Sequence, residues 1–73
     1  MRITYDPEVD AIYIRLLDER VEVITHRLTE DVAVNYAPDG RVVGIEVLDA
    51  SEYAFPSHAE PRVIIQNLIP VPA

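Results

Sequence analysis

The feature that most constrains this chain is the tripeptide Pro38-Asp39-Gly40, set between two β-prone runs, Val32–Ala37 and Arg41–Leu48. Proline suits the first central position of a type I turn and aspartate the second. Gly40 then supplies the left-handed residue of a G1 bulge. A chain with such a turn between such runs folds back as an antiparallel hairpin. Two registers compete for it. Pairing strictly outward from the turn sets Tyr36 near Val42, Val34 near Gly44 and Ala33 near Ile45. Simple alternation groups Val32, Val34 and Tyr36 with Val43, Ile45 and Val47. A second bulge near Gly44 would reconcile them, and the sequence leaves the choice open. Under either register both faces carry apolar side chains, so the expectation is a sheet that needs cover on each side.

The flanking segments add strands. Ile3 and Tyr5 alternate with Arg2 and Thr4, which reads as a short strand. Asp6-Pro7-Glu8-Val9-Asp10 reads as a turn, and Ala11–Leu17, rich in branched and aromatic residues, as a second strand close enough to form a hairpin with the first. After the polar break Asp18-Glu19-Arg20, residues Val21–Leu28 are β-prone but give no clean apolar face, as an edge strand would. Asp49-Ala50-Ser51-Glu52 has the spacing of a capping box, and Pro56 would stop the helix that follows. The predicted architecture is mainly β (α+β): an antiparallel sheet of four to five strands, one short helix near residues 50–55, and an extended C-terminal tail. Residues 1–55 form the β-rich core domain in this reading, and residues 56–73 a Pro-rich apolar tail.

That tail holds Pro56, Pro61, Pro70 and Pro72. Its segment Arg62–Ile69 favours a strand, although Ile64–Leu68 and Ile65–Ile69 at i, i+4 also fit a short helix. An apolar tail covers its own sheet or crosses to a neighbour. Val63, Ile64, Ile65, Leu68 and Ile69 are therefore the candidate interaction residues.

Composition bears on what holds so small a domain together. The chain has 73 residues and no cysteine, so disulfides and thiolate metal sites are excluded. Oligomerisation is the remaining common device, and a homodimer or higher oligomer is expected. Six Arg and no Lys stand against 13 acidic residues, for a net charge of −7. Such a surface repels phosphate backbones and anionic lipid, and suits a basic protein partner; neither direct nucleic-acid binding nor a membrane role is expected. The apolar run Val63-Ile64-Ile65 is far shorter than a membrane span. Met1–Asp6 lacks a signal-peptide layout, so the cytoplasm is the expected location.

No catalytic constellation stands out, and the chain does not read as an enzyme. His26 and His58 sit on different elements. Ser51 is placed for helix capping, and Ser57 lies beside Pro56 without a triad. Glu46 and Glu22 could meet across strands, but nothing in the sequence marks them as an acid–base pair. No cofactor is implied. Asp6, Glu8 and Asp10 alternate within one turn and form the alternative reading, a small-ligand or divalent-metal-binding domain. The EF-hand pattern fails there, because Ala11 stands where the loop glycine belongs and Leu17 where its last glutamate belongs.

The segments ITYDPEVDAIYIRL (Ile3–Leu16) and DVAVNYAPDGRVVGIEVLDAS (Asp31–Ser51), with the broken stretch between them, resemble the small prokaryotic proteins grouped as domain of unknown function 2283. The resemblance covers about the first 55 residues and implies a compact β-rich domain without assigned biochemistry. Some relatives are candidate antitoxins encoded beside small toxins. No catalytic residues are established for that family, and none carries over. The expected function is a self-associating protein-interaction module, an antitoxin-like partner of a basic protein.

Overall fold

The computed structural model describes residues 1–54. They form five strands and one short helix: β1 (Arg2–Asp6), β2 (Ala11–Arg15), β3 (Ile24–Arg27), β4 (Val32–Tyr36), β5 (Val42–Val47) and α1 (Ala50–Tyr53). The strands make a single antiparallel sheet in the order β1-β2-β5-β4-β3. Two local units build it. β1 and β2 form a hairpin, and β3, β4 and β5 form a meander. The two join where β5 pairs with β2 on one side and β4 on the other. Residues 16–23 carry the chain across the end of the sheet, from β2 to the far edge at β3.

The turns follow the local chemistry. In the β1–β2 hairpin the Asp6 carboxylate accepts the Glu8 backbone N–H at 3.0 Å. This is the side-chain-to-backbone bond that makes aspartate a turn initiator. In the β4–β5 hairpin the Ala37 N–H donates to the Arg41 carbonyl at 2.8 Å, and the Gly40 N–H to the Ala37 carbonyl at 2.9 Å. Gly40 has φ +95°, as the left-handed position of the turn requires. Asp39 holds Arg41 from two sides, accepting its backbone N–H at 3.0 Å and its Nε at 2.8 Å.

The two candidate registers of this hairpin both occur, one after the other. Tyr36 pairs with Val42, as strict counting from the turn expects. The next pair is Asn35 with Gly44, so Val43 is an extra residue, and the ladder continues as Val34–Ile45 and Val32–Val47. The bulge therefore lies beside Gly44. Val43 is 1% exposed, and its carbonyl accepts the N–H groups of both Leu16 and Leu17, which ties the end of β2 to the bulge.

The expectation that both faces are apolar is corrected by this register. Residues paired across strands share a face. One face carries three cross-strand rows: Tyr5-Ile12-Val47-Val32, Ile3-Ile14-Ile45-Val34-His26, and Val42-Tyr36-Ile24. The opposite face carries Thr4-Tyr13-Glu46-Ala33-Arg27, Arg2-Arg15-Gly44-Asn35-Thr25, and Asp6-Ala11. One face is apolar but for His26, and the other is polar around small residues. The bulge brings the apolar positions of β4 and β5 into line.

The expected edge strand is β3, shorter than its β-prone run. The helix over residues 50–55 is the single turn α1. The tail positions Val63, Ile64, Ile65, Leu68 and Ile69 lie outside the described residues. Among the described residues, no helix is long and apolar enough to cross a membrane.

Candidate interaction surface

The polar face makes its own cover. Gly44 and Ala33 leave two hollows in the middle of the sheet, and neighbouring side chains fill them. The Tyr13 ring lies over Gly44 so closely that a Cβ there would run into its phenol carbon and oxygen and stand 2.9 Å from the Ile14 carbonyl. Reaching across β5, the Tyr13 hydroxyl accepts the Asn35 amide at 3.1 Å, and Asn35 in turn accepts the Thr25 hydroxyl at 2.7 Å. The network thus spans from β2 to β3. Over Ala33, which is 1% exposed, Arg27 of β3 meets Glu46 of β5 at 3.6 Å. Glu46 therefore faces an arginine rather than Glu22, the cross-strand partner that alternation alone would allow.

The apolar face has no such cover among the described elements. Among the described residues, the buried apolar ones are Ala33, Ala37, Val43 and Ala50, and Val43 is the one large side chain fully enclosed. The apolar rows are half-buried at their centre and exposed at the rim, where Ile3 is 37%, Val42 41% and Ile24 46% exposed. A sheet face of branched and aromatic residues requires a second layer to be stable in water.

A second cluster sits at the end of the sheet where β2 begins. Asp10, in the left-handed region at φ 52°, turns its backbone and side chain toward α1. Its carbonyl accepts the Ala50 N–H at 2.9 Å. Its carboxylate accepts the Ser51 N–H at 3.1 Å, the Ser51 hydroxyl at 2.7 Å and the Tyr5 hydroxyl at 2.8 Å. The capping-box reading is corrected here. Asp49 occupies the N-cap but lies in the left-handed region and makes no side-chain cap bond, so Asp10 supplies the cap from 41 residues away. At the other end of α1, the Tyr53 hydroxyl donates to the Asp31 carboxylate. The helix so bridges the β1–β2 turn and the start of β4.

These bonds set the titration behaviour. The hydrogen bond from Ser51, followed by that from Tyr5, holds the Asp10 carboxyl below the ordinary aspartate range. Tyr5 is raised, chiefly because it donates to Asp10, and Tyr53 is raised by donating to Asp31. A carboxylate held ionised by donors is an acceptor and an anchor. Its role here is to fasten the helix.

The acids of the first turn are divided between these tasks. Asp6 binds the Glu8 N–H, and Asp10 faces α1. Among the described residues, no three His, Cys, Asp or Glu side chains gather as a metal would need, so the structure does not bring Asp6, Glu8 and Asp10 together. His26 stands opposite Val34 on the far edge strand. His58 and Ser57 lie outside the described residues. Two functional features escaped the sequence reading: the role of Asp10 as a distant cap, which no local signal announces, and the closure of Gly44 by Tyr13. The second has a signal, because a glycine inside a strand marks close approach as well as a bulge.

Comparison with curated proteins and with solved structures finds no match. The family described as protein of unknown function (DUF2283) matches residues 2–51, from the first residue of β1 into α1. With most of its length and every strand of its sheet inside that match, the chain belongs to the DUF2283 family.

Proposed function

We propose that the protein is a protein-interaction module that works by giving the apolar face of its sheet to other polypeptide: a second copy of itself, and a basic protein that it neutralises as an antitoxin does. One observation carries the reading. The polar face is closed by its own side chains, whereas the rows through Ile14, Ile45 and Val34 and through Ile12, Val47 and Val32 lack a covering layer among the described elements. The net charge of −7 supports a basic partner, whose approach it would accelerate.

The test is the solution mass at micromolar concentration, paired with a face variant. Replacing Val34 and Ile45 together by Thr keeps the β-branched shape and removes apolar contact. We expect the wild-type chain to sediment as a dimer or larger, and the variant to associate at least about tenfold more weakly with its sheet spectrum intact. A wild-type chain that stays monomeric at high micromolar concentration, and that is recovered alone from its source cells, overturns the reading.

A further inference from the structure

Charge is sorted between the two faces of the sheet. The arginines carried by the strands, Arg2, Arg15 and Arg27, and the strand carboxylates, Asp6 and Glu46, all belong to the polar rows. Among the described residues, the apolar rows hold one side chain that gains a charge near neutral pH. It is His26 of β3, directly opposite Val34 of β4. An imidazole takes up its proton between about pH 8 and pH 5. The other ionisable groups on that face are the phenols of Tyr5 and Tyr36, and phenols are neutral in that range. We propose that His26 makes the face association argued above, on which this inference rests, sensitive to pH. Two copies join through their apolar faces while the imidazole is neutral, and its protonation drives them apart.

The surroundings of His26 are those of an uncharged group. β3 is an edge of the sheet, and its partner is β4. From β4 the residues sharing its face are Val32, Val34 and Tyr36, and from β5 beyond it Val42, Ile45 and Val47. On β3 the companion is Ile24. Arg27 lies on the other face and meets Glu46 there. Glu30 and Asp31 sit in the turn before β4, outside the apolar rows, and the Asp31 carboxylate accepts the Tyr53 hydroxyl.

The sign of the effect follows from hydration. His26 is exposed, so water solvates either form in the free chain. A second apolar face laid over the first removes that water. A neutral imidazole loses little, whereas an imidazolium loses its hydration with no carboxylate on the face to replace it. In a two-fold dimer the loss occurs twice. Protonation also makes each copy of net charge −7 less negative by one, which eases mutual repulsion. That opposing effect acts between exposed charges and is screened over about 8 Å at physiological salt, so desolvation decides the outcome. A basic partner on the same face is repelled by the added charge as well, and the direction is the same.

Sedimentation at about 0.15 M salt, compared near pH 7.5 and near pH 5.5, tests this. The wild-type chain is expected to associate at least about tenfold more weakly at the lower pH, with its sheet spectrum unchanged. His26→Gln stays polar but takes no proton, and is expected to associate equally at both. His26→Arg is charged at both, and is expected to associate weakly at both. His58→Gln removes the other histidine and is expected to keep the wild-type response. His26 is exposed on an edge strand, so these variants keep the fold, and the spectrum checks it. Wild-type association that is equal at the two pH values, or that strengthens on acidification, overturns the proposal and leaves the face reading standing. A response that survives His26→Gln or disappears in His58→Gln does the same. A chain that is monomeric at both pH values overturns both.

Discussion

Gly44 shows how a single missing side chain shapes the sheet. Its position beside the bulge is a matter of backbone geometry, but the Tyr13 ring and the Ile14 carbonyl make the absence of a Cβ a packing requirement too. Gly44→Ala should therefore destabilise the fold by about 1–3 kcal/mol, because a Tyr13 ring can swing aside and a carbonyl in a paired strand cannot. Denaturant unfolding checks this, and a variant as stable as the parent would mean that β2 and β5 are less closely joined than described. Ala33 is the companion case. It lies in the cross-strand row between Arg27 and Glu46, so a larger residue there would part the pair. That ion pair is itself exposed and adds little stability; its service is to roof the alanine.

The elements owe their placement to contacts distant in sequence. α1 is too short to persist alone and is held by Asp10 at one end and Asp31 at the other. Stability should consequently fall at both extremes of pH, for opposite reasons. Asp10 and Asp39 have depressed pKa values, so their contribution is complete above the ordinary aspartate value of 3.8 and is lost as pH drops through the lower folded-state value. Tyr5 and Tyr53 are raised, so what they contribute is complete below the ordinary tyrosine value of 10.0 and is lost as pH climbs through the higher folded-state value. Thermal melts across pH should show both limbs, and Ser51→Ala should shrink the acid limb by removing the strongest donor to Asp10. An acid limb unchanged in that variant would remove Asp10 from its role. The turn residues at Pro38–Gly40 were legible because their bonds are local. The cap on α1 was not, because the Asp49–Glu52 pattern satisfied the capping-box rule while the bonding partner sat in another turn.

At the scale of the molecule, the described residues make a hairpin and a meander joined in one sheet, and those of them that are enclosed are nearly all small. A layer of this kind gains stability by acquiring a second. If association supplies it, the thermal midpoint should rise with protein concentration by mass action. Calorimetry over a hundredfold range of concentration checks this, and a constant midpoint would count against coupled folding and assembly. The net charge of −7 acts over the same scale, and in the proposed reading it would speed the encounter with a basic protein.

The sequence by itself determined the strands, their turns, the short helix, an edge strand within residues 21–28 and the membership of a β-rich family, because alternation, turn chemistry and motif spacing are properties of neighbouring residues. Only the tertiary structure decided the strand order, the polar and apolar faces, and the anchoring of α1. Which residues share a face depends on register, and the unpaired Val43 shifts that register by one between Tyr36 and Asn35. Both candidate pairings were consistent with the local signals, and the choice lay in how Gly44, Tyr13 and Val43 pack against strands far away in the chain.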